Sequence, residues 1–231
     1  MNTPVKEPSA ARPPRRTQAE RSEAMRARLI DATLVCLARD GYIGTTVSNI
    51  INEAQVSRGA PLHHFPSKAA LIDAAAEQLI RNLYTQLGVA ISSLADSENR
   101  LADMIMASWQ ELFGSNDSAA LLELTLASRR DAELAGIMQR LGIAGYEALN
   151  NATHHYFEPV PLAPTSSDRD LTHYFVLTHW LMRGMAIEQH LLNDPEMQQH
   201  FLRLWAELLG LRMRPRDGIS VPPPKPGFWQ R

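Results

Sequence analysis

Residues 45 to 65 contain two short helix patterns with almost no chain between them. Apolar residues at helical spacing mark the first pattern: Val47, Ile50, Ile51 and Ala54. Thr45 or Thr46 is placed to cap its start, a tight turn follows at residues 55–56, and Ser57 then caps a second short helix. Helices joined by so short a turn have to cross steeply. The segment therefore predicts a helix-turn-helix, whose second helix presents its first residues outward.

The rest of the chain also follows a helical period. A long helix begins after Ser67, a good N-cap, and Gly41 ends the helix before the two short ones. Further helices are expected at 98–113, 117–128, 131–157, 169–192 and 196–212, the last with Asp194 as N-cap and Pro195 in its first turn. Aromatic residues make up only 6% of the chain, which favours helix over sheet. We therefore predict an all-α fold.

Proline-rich stretches divide the chain. Residues 1–17 are predicted to be a disordered basic arm, and residues 213–231 a proline-rich, extended tail. A third stretch, 158–168, has three prolines and is predicted not to be helical. These breaks suggest an N-terminal three-helix domain over 18–70 and a C-terminal helical domain over 71–212.

Composition limits the class of protein. The 231 residues are 45% hydrophobic, and no apolar run approaches the length of about 20 residues that a membrane span needs. The polar N-terminus does not resemble a signal peptide, and the single Cys36 excludes an internal disulfide framework. We therefore expect a cytoplasmic protein that does not bind membranes. Ten of the 23 basic residues but only six of the 25 acidic residues lie at or before Lys68. This charge asymmetry is typical of a basic, polyanion-binding module joined to an acidic domain.

The stretch from Arg28 to Leu71 resembles the DNA-binding domain of the TetR family of bacterial repressors. The matching residues are Ala32, Gly41-Tyr42, Thr45-Thr46-Val47, Ile50, Ala54, Val56-Ser57-Arg58-Gly59, His64-Phe65, Ser67-Lys68 and Leu71. The resemblance covers about a fifth of the chain. It implies a homodimer, a variable C-terminal ligand domain, and repression of a palindromic operator in double-stranded DNA that a small molecule relieves.

Three positions depart from the family pattern. Gln55 replaces a usual glycine, which costs roughly 1 kcal/mol if the turn needs a positive φ. Pro61 replaces a usual leucine and is tolerated within about the first turn of a helix. Leu62 replaces a usual tyrosine, so the phosphate contact of that hydroxyl is not carried over.

The expected DNA contacts follow from side-chain chemistry. Arg58 can pair with guanine in a major groove, or bind a phosphate instead. His63 faces the same way, with plain solvent exposure as the alternative, and His64 either binds the backbone or packs beside Phe65. Gly59 permits close approach, or is merely tolerated. The full predicted set is Thr45, Thr46, Ser57, Arg58, Gly59, Ala60, Pro61, His63, His64 and Lys68.

The N-terminal arm offers a further contact. Its arginines could reach a minor groove, although a solvated tail is the more common role for such an arm. They are Arg12, Arg15, Arg16 and Arg21.

The C-terminal domain is expected to hold a largely apolar effector of unknown identity. Methionines and aromatics suit an adaptable cavity, and ordinary core packing is the alternative for each of them. The predicted lining is Met104, Trp109, Phe113, Met138, Tyr146, Phe175 and Trp180, with Met106 and Phe157 as wider candidates. The histidines at 154, 155, 173 and 179 have no ligand-like spacing, so no metal and no cofactor are expected.

The last two helices are predicted to form the dimer face, as half of a four-helix bundle. One stripe would be Leu171, Phe175, Thr178, Met182 and Met185, and the other Met197, Phe201, Leu204, Trp205 and Leu208. Gly184 and Ala186 would allow close approach of the helices. A non-specific architectural DNA-binding protein and a helical enzyme are the alternative functions. The enzyme is disfavoured because the sequence has no phosphate loop, nucleophile–base pair or metal-ligand set.

Overall fold

The computed structural model describes residues 17–59, 63–94, 97–160, 168–189, 191, 193–219, 221 and 223. Its helices are α1 (Gln18–Gly44), α2 (Val47–Ala54), α3 (Lys68–Ser93), α4 (Arg100–Ser108), α5 (Asn116–Ala127), α6 (Ala132–Tyr156), α7 (Asp168–Glu188) and α8 (Pro195–Gly210). A π-helical turn, Trp109–Phe113, follows α4 directly. The predicted helical architecture is confirmed, and two strands of three residues each are added to it: β1 (Phe157–Pro159) and β2 (Met213–Pro215).

Helix α1 begins at a capping box and is interrupted near its end. The Thr17 hydroxyl accepts the Glu20 N–H, and the Glu20 carboxylate accepts the Thr17 N–H. Gly41 has φ 68° and ψ 178°, so the regular helix stops there, as its position in the sequence predicts. The backbone conformation therefore requires glycine, whereas the Glu123 carboxylate of α5, 2.8 Å from the place of a Cβ, lies at the end of a flexible side chain.

Helix α2 ends in a left-handed residue. Gln55 has φ 52° and ψ 49° and is the only non-glycine with positive φ among the described residues. The turn thus needs a positive φ, at a position where this chain has glutamine in place of the usual glycine. Because an L-residue clashes with its own backbone there, this short turn is strained.

Three apolar clusters hold the helices together. The head core joins α1, α2 and the start of α3 around Leu29, Ala32, Cys36, Ile50, Ala54, Phe65 and Leu71. The junction core packs α1 and α3 against α5 and α6 through Leu34, Leu37, Ile72, Ala75, Ala76, Leu79, Ala120, Leu121, Leu124, Leu134 and Leu141. The boundary predicted at residue 70 falls inside α3, so this helix contributes to both domains.

The third cluster, the body core, includes residues predicted to be a tail. Its members are Ile91, Leu101, Met104, Ile105, Phe113, Tyr156, Phe157, Leu171, Met182, Leu202, Ala206, Leu209 and Met213. Strand β2 pairs antiparallel with β1, and the buried Arg100 donates a 2.9 Å hydrogen bond to the carbonyl of Ile219. The extended-tail prediction is therefore wrong for residues 213–219. Apolar Met213 and Ile219 pack on the body and outweigh the local effect of the prolines around them.

Candidate DNA-binding and ligand-binding sites

The segment after α2 presents its polar residues to solvent. Ser57, Arg58, Gly59 and His63 are all exposed, while Phe65 is buried in the head core. Of the predicted contact residues, Ala60 and Pro61 lie outside the described residues. The Arg58 guanidinium, the Ser57 hydroxyl and the His63 imidazole are therefore accessible to solvent, while Phe65 anchors the segment in the head core.

The two threonines before α2 have different roles. Thr46 is the N-cap, since its hydroxyl accepts the Asn49 N–H at 3.2 Å, and it is exposed. Thr45 is fully buried, and its hydroxyl donates to the Gly41 carbonyl at 2.7 Å. The predicted DNA contact by the Thr45 side chain is therefore corrected: this buried hydroxyl bonds the Gly41 carbonyl, which also accepts the Thr45 N–H at 3.1 Å.

Arg26 anchors the second half of the motif. Its guanidinium donates a 2.9 Å hydrogen bond to the His64 carbonyl and lies 4.5 Å from the centre of the Phe65 ring. His64 itself is half-buried beside Phe65. No local sequence pattern marks Arg26, because it lies 38 residues before its partner.

Lys68 lies against the end of α1. Its ammonium is 4.7 Å from the Tyr42 ring centre and 3.5 Å from the Tyr42 carbonyl oxygen. Burial lowers the pKa of Lys68, and the nearby Asp131 carboxylate opposes that shift. In this structure the ammonium stabilises the junction between α1, α3 and α6, and its side chain is half-buried.

Comparison with known proteins identifies the family. Residues 29–75 match the family model described as bacterial regulatory proteins, tetR family. The DNA-binding domain of the chain is therefore of the TetR-family type. The match includes α2, the turn at Gln55 and the exposed segment, which are the parts of the motif described above.

Relatives extend this likeness beyond the matched domain. The HTH-type transcriptional regulator CymR of Pseudomonas putida is 34% identical over 55% of this chain, and the chain spans 63% of that protein's length. An uncharacterized HTH-type transcriptional regulator of Mycobacterium bovis is 24% identical over 84% of this chain and 97% of its own. Both relatives are named as transcriptional regulators.

Solved structures share the fold. A transcriptional regulator from Rhodococcus sp. Rha1 superposes with a TM-score of 0.61 over 86% of this chain and 99% of its own, at 19% identity. A TetR-family regulator from Mesorhizobium loti reaches a TM-score of 0.64 over 83% of this chain and 98% of its own, at 14% identity. The whole helical architecture, and not only the N-terminal motif, is thus that of TetR-family structures.

The C-terminal domain contains a cavity of about 80 Å³, several times the volume of about 10–15 Å³ that one water needs. Four helices, the π-helical turn and β1 contribute to its wall: Leu87, Ile91, Met104, Ile105, Ser108, Leu112, Phe113, Leu149, Ala152, Thr153, Tyr156, Phe157, Phe175, Thr178, His179 and Met182. The wall is therefore mostly apolar, with a few polar groups from α4, α6 and α7.

The predicted lining is met in part. Met104, Phe113 and Phe175 line the cavity, as does the wider candidate Phe157. The other four do not: Trp109 packs on the body core, Met138 on the junction core, and Tyr146 and Trp180 are exposed, the latter by 63%. Apolar character alone did not distinguish these environments, because which face of a helix turns inward depends on its neighbours.

One histidine in the wall has a perturbed titration. His179 is hydrogen-bonded through Nε2 to the Arg183 guanidinium at 2.7 Å, and its ring lies 5.4 Å from that of Phe113. Burial, with repulsion from Arg183 second, lowers the pKa of His179 to about 4. The imidazole is therefore neutral at neutral pH. The sequence analysis considered this residue only for metal binding.

Neither a metal site nor a membrane-spanning helix is found among the described residues. They contain no group of three His, Cys, Asp or Glu side chains arranged to hold a metal ion. None of the helices they form has a stretch both long and apolar enough to cross a bilayer.

The outer faces of α7 and α8 carry exposed apolar side chains. They are Leu177, Trp180, Leu181 and Ile187 on α7, and Phe201, Leu204 and Leu208 on α8. The stripe predicted on α7 is corrected, since Leu171, Thr178 and Met182 are buried within the chain and Phe175 and Met185 pack on the body core. On α8 the Trp205 indole donates to the Thr178 hydroxyl at 2.9 Å and faces inward.

Proposed function

We propose that this chain is a homodimeric transcriptional repressor that reads a palindromic DNA operator through the segment 57–64. The observation that supports this most directly is the exposure of Ser57, Arg58 and His63 on a segment held from behind by Arg26. An arginine presented in this way can pair with both acceptors of a guanine edge. The Thr46 hydroxyl and the N-terminus of α2 would bind the adjacent phosphates.

The proposed dimer follows from the exposed apolar face. Trp180, Leu181 and Leu208 are exposed apolar residues of α7 and α8, and exposed apolar surface of this kind is typical of an interface. Gly184 lies on α7 with open space where a Cβ would be, so a partner helix can approach closely. Two recognition segments, spaced by about one DNA turn of 34 Å or a multiple, would bind more tightly than one.

The proposed ligand response joins the cavity to the DNA-binding domain. Helix α6 contributes Leu149, Ala152, Thr153 and Tyr156 to the cavity wall, and α3 contributes Leu87 and Ile91. The other end of α3 starts beside the recognition segment. A small, largely apolar ligand that favours another tilt of these helices changes the separation of the two recognition segments and weakens operator binding, a coupling of about 1–3 kcal/mol.

The experiment is operator binding by the purified full chain. Fluorescence anisotropy across a salt series compares the DNA flanking the protein's own gene with an unrelated fragment. Arg58→Ala should weaken operator binding about 5- to 150-fold, corresponding to a loss of about 1–3 kcal/mol. The matched control is Arg129→Ala, in an exposed turn between α5 and α6, which should leave binding unchanged.

Other outcomes point elsewhere. Equal, salt-sensitive binding to both fragments would favour a non-specific architectural protein. Failure to bind either fragment at low salt would contradict the proposed function.

A further inference from the structure

The cavity described above has aromatic walls contributed by separate parts of the chain. Phe113 comes from the π-helical turn, Phe157 from β1 and Phe175 from α7, and the last two rings are 5.1 Å apart. Ring faces and edges arranged in this way favour a flat apolar body, since aromatic pairs prefer tilted or offset contacts. These walls account for binding of the flat apolar part of a ligand, but not for its orientation in the cavity.

Thr153 supplies an unpartnered hydroxyl in that wall. The residue is 2% exposed, and its Oγ1 is buried without a hydrogen-bond partner. Helical threonines usually bond the carbonyl four residues earlier, as Thr33, Thr125 and Thr178 do here. Thr153 does not, although the same carbonyl position is available on α6. A buried hydroxyl left in this state is the group that a ligand oxygen would satisfy.

His179 supplies the second polar group. Its Nε2 accepts a hydrogen bond from Arg183, so the neutral ring carries its proton on Nδ1. Nδ1 is therefore the ring nitrogen left to donate to a ligand in the cavity that His179 lines. The wall therefore offers an N–H donor from α7 in addition to the hydroxyl from α6.

The charged groups near the cavity favour a neutral or anionic ligand over a cationic one. None of the described residues that line it is Asp or Glu. Arg183, which contacts His179 directly, has no carboxylate partner in the described part of the chain. An ammonium ligand would find no counter-charge there, whereas an oxygen acceptor, neutral or anionic, would be stabilised.

We propose that the cavity binds a small aromatic molecule bearing an oxygen substituent, neutral or singly anionic, that hydrogen-bonds Thr153 and His179. This rests on the proposed ligand-responsive function and names the chemical class of its effector. Recognition has two parts: the aromatic walls select a flat apolar body, and the two polar groups select an oxygen. Cationic aromatic compounds are excluded by the neighbouring arginine.

The test uses four probes of similar size: phenol, benzoate, toluene and benzylamine. Binding to the full chain is measured by calorimetry and by the shift in melting temperature. We expect phenol or benzoate to bind at least about tenfold more tightly than toluene, because only they satisfy the buried polar groups. Benzylamine should not bind. Comparison of the affinities for phenol and benzoate distinguishes a preference for a neutral ligand from one for an anionic ligand.

Two variants assign the effect to the named groups. Thr153→Val keeps the shape of the side chain and should lower affinity for the oxygen-bearing probe at least about fivefold, with toluene unchanged. His179→Phe should do the same. The control Thr125→Val removes a hydroxyl that already bonds its own backbone, and should not alter the affinity ratio.

The proposal is overturned if toluene binds as well as phenol and benzoate, if benzylamine binds best, or if none of the four binds. Operator binding without any probe is measured in parallel. If operator binding is intact and the probe series fails, the ligand class is wrong while the proposed DNA-binding function stands. Loss of operator binding by the unmodified chain would instead contradict the proposed function.

Discussion

The Tyr42 hydroxyl donates a 2.8 Å hydrogen bond to Oδ2 of Asp131, 89 residues away in the sequence. Oδ1 of the same carboxylate accepts the Leu134 N–H at 3.0 Å and caps α6. Burial and this bond raise the pKa of Tyr42 to about 12, so the phenol is the donor at neutral pH. The bond thus connects the end of α1 with the helix that carries Thr153 into the cavity wall.

Removing this hydroxyl should weaken the response to ligand. In Tyr42→Phe the ring keeps its place beside Lys68 but no longer bonds the cap of α6. We expect operator affinity without ligand to change little, and the ligand-induced drop in that affinity to shrink roughly threefold or more. Anisotropy titrations with and without the best probe measure both quantities. The control is Tyr146→Phe at an exposed position; an equal effect there would refute the assignment.

Arg26 should support DNA binding without touching DNA. Arg26→Ala removes the bond to the His64 carbonyl and the stacking on Phe65, so operator affinity should fall about tenfold, or 1.4 kcal/mol. The salt dependence of binding should keep its slope, since no phosphate contact is lost. Arg28→Ala, at an exposed position on the same helix, is the control. A slope reduced by about one would mean that Arg26 binds a phosphate.

The turn at Gln55 should be improved by glycine. Because Gln55 is exposed and left-handed, Gln55→Gly should raise the free energy of unfolding by about 0.5–1 kcal/mol, the relief of backbone strain less the greater entropy of the unfolded chain. Urea denaturation measures this. Gln55→Ala retains the Cβ and should bring no gain, and a gain of equal size there would show that the side chain, not the backbone, is responsible.

An acidic residue on the outer face of α7 should dissociate the proposed dimer. Trp180 is 63% exposed in the single chain, so Trp180→Glu should leave the fold of the protomer intact. Sedimentation should show monomers, and operator affinity should fall at least about tenfold because two half-sites are no longer bound together. Val89→Glu, at an exposed apolar position on α3, is the control. An unchanged dimer in Trp180→Glu would exclude this face.

Stability should fall as pH is lowered from 7 to 5. The pKa of His179 is about 4 in the folded chain, below the ordinary value of 6.5, so the unfolded chain binds this proton more readily. Stability therefore rises with pH between about 4 and 6.5, and acidification to pH 5 should cost about 2 kcal/mol. His179→Gln should remove this slope in denaturation curves. The exposed His63→Gln should retain it, and a slope that persists in His179→Gln would contradict the assignment.

The N-terminal half of the fold was determined largely by local sequence. Caps at Thr46 and Ser67, the glycine at 41 and the apolar spacing of α2 act within a few residues, so α2, the turn after it and the start of α3 could be predicted. A positive φ at Gln55 was expected only if the turn required it. Such local signals also predicted that residues 158–160 are not helical. They could not assign Thr45 and Thr46 to different roles, because burial of Thr45 depends on where the interrupted end of α1 lies.

Only the tertiary structure decided which faces of the C-terminal helices turn inward. Trp180 and Phe175 are both apolar residues at helical spacing, yet Trp180 is exposed and Phe175 lines the cavity. The bond from Tyr42 to Asp131 and that from Arg26 to His64 join distant parts of the chain. Sequence period fixes the spacing of side chains along one helix, whereas contact between helices depends on how the apolar faces of all of them are buried together.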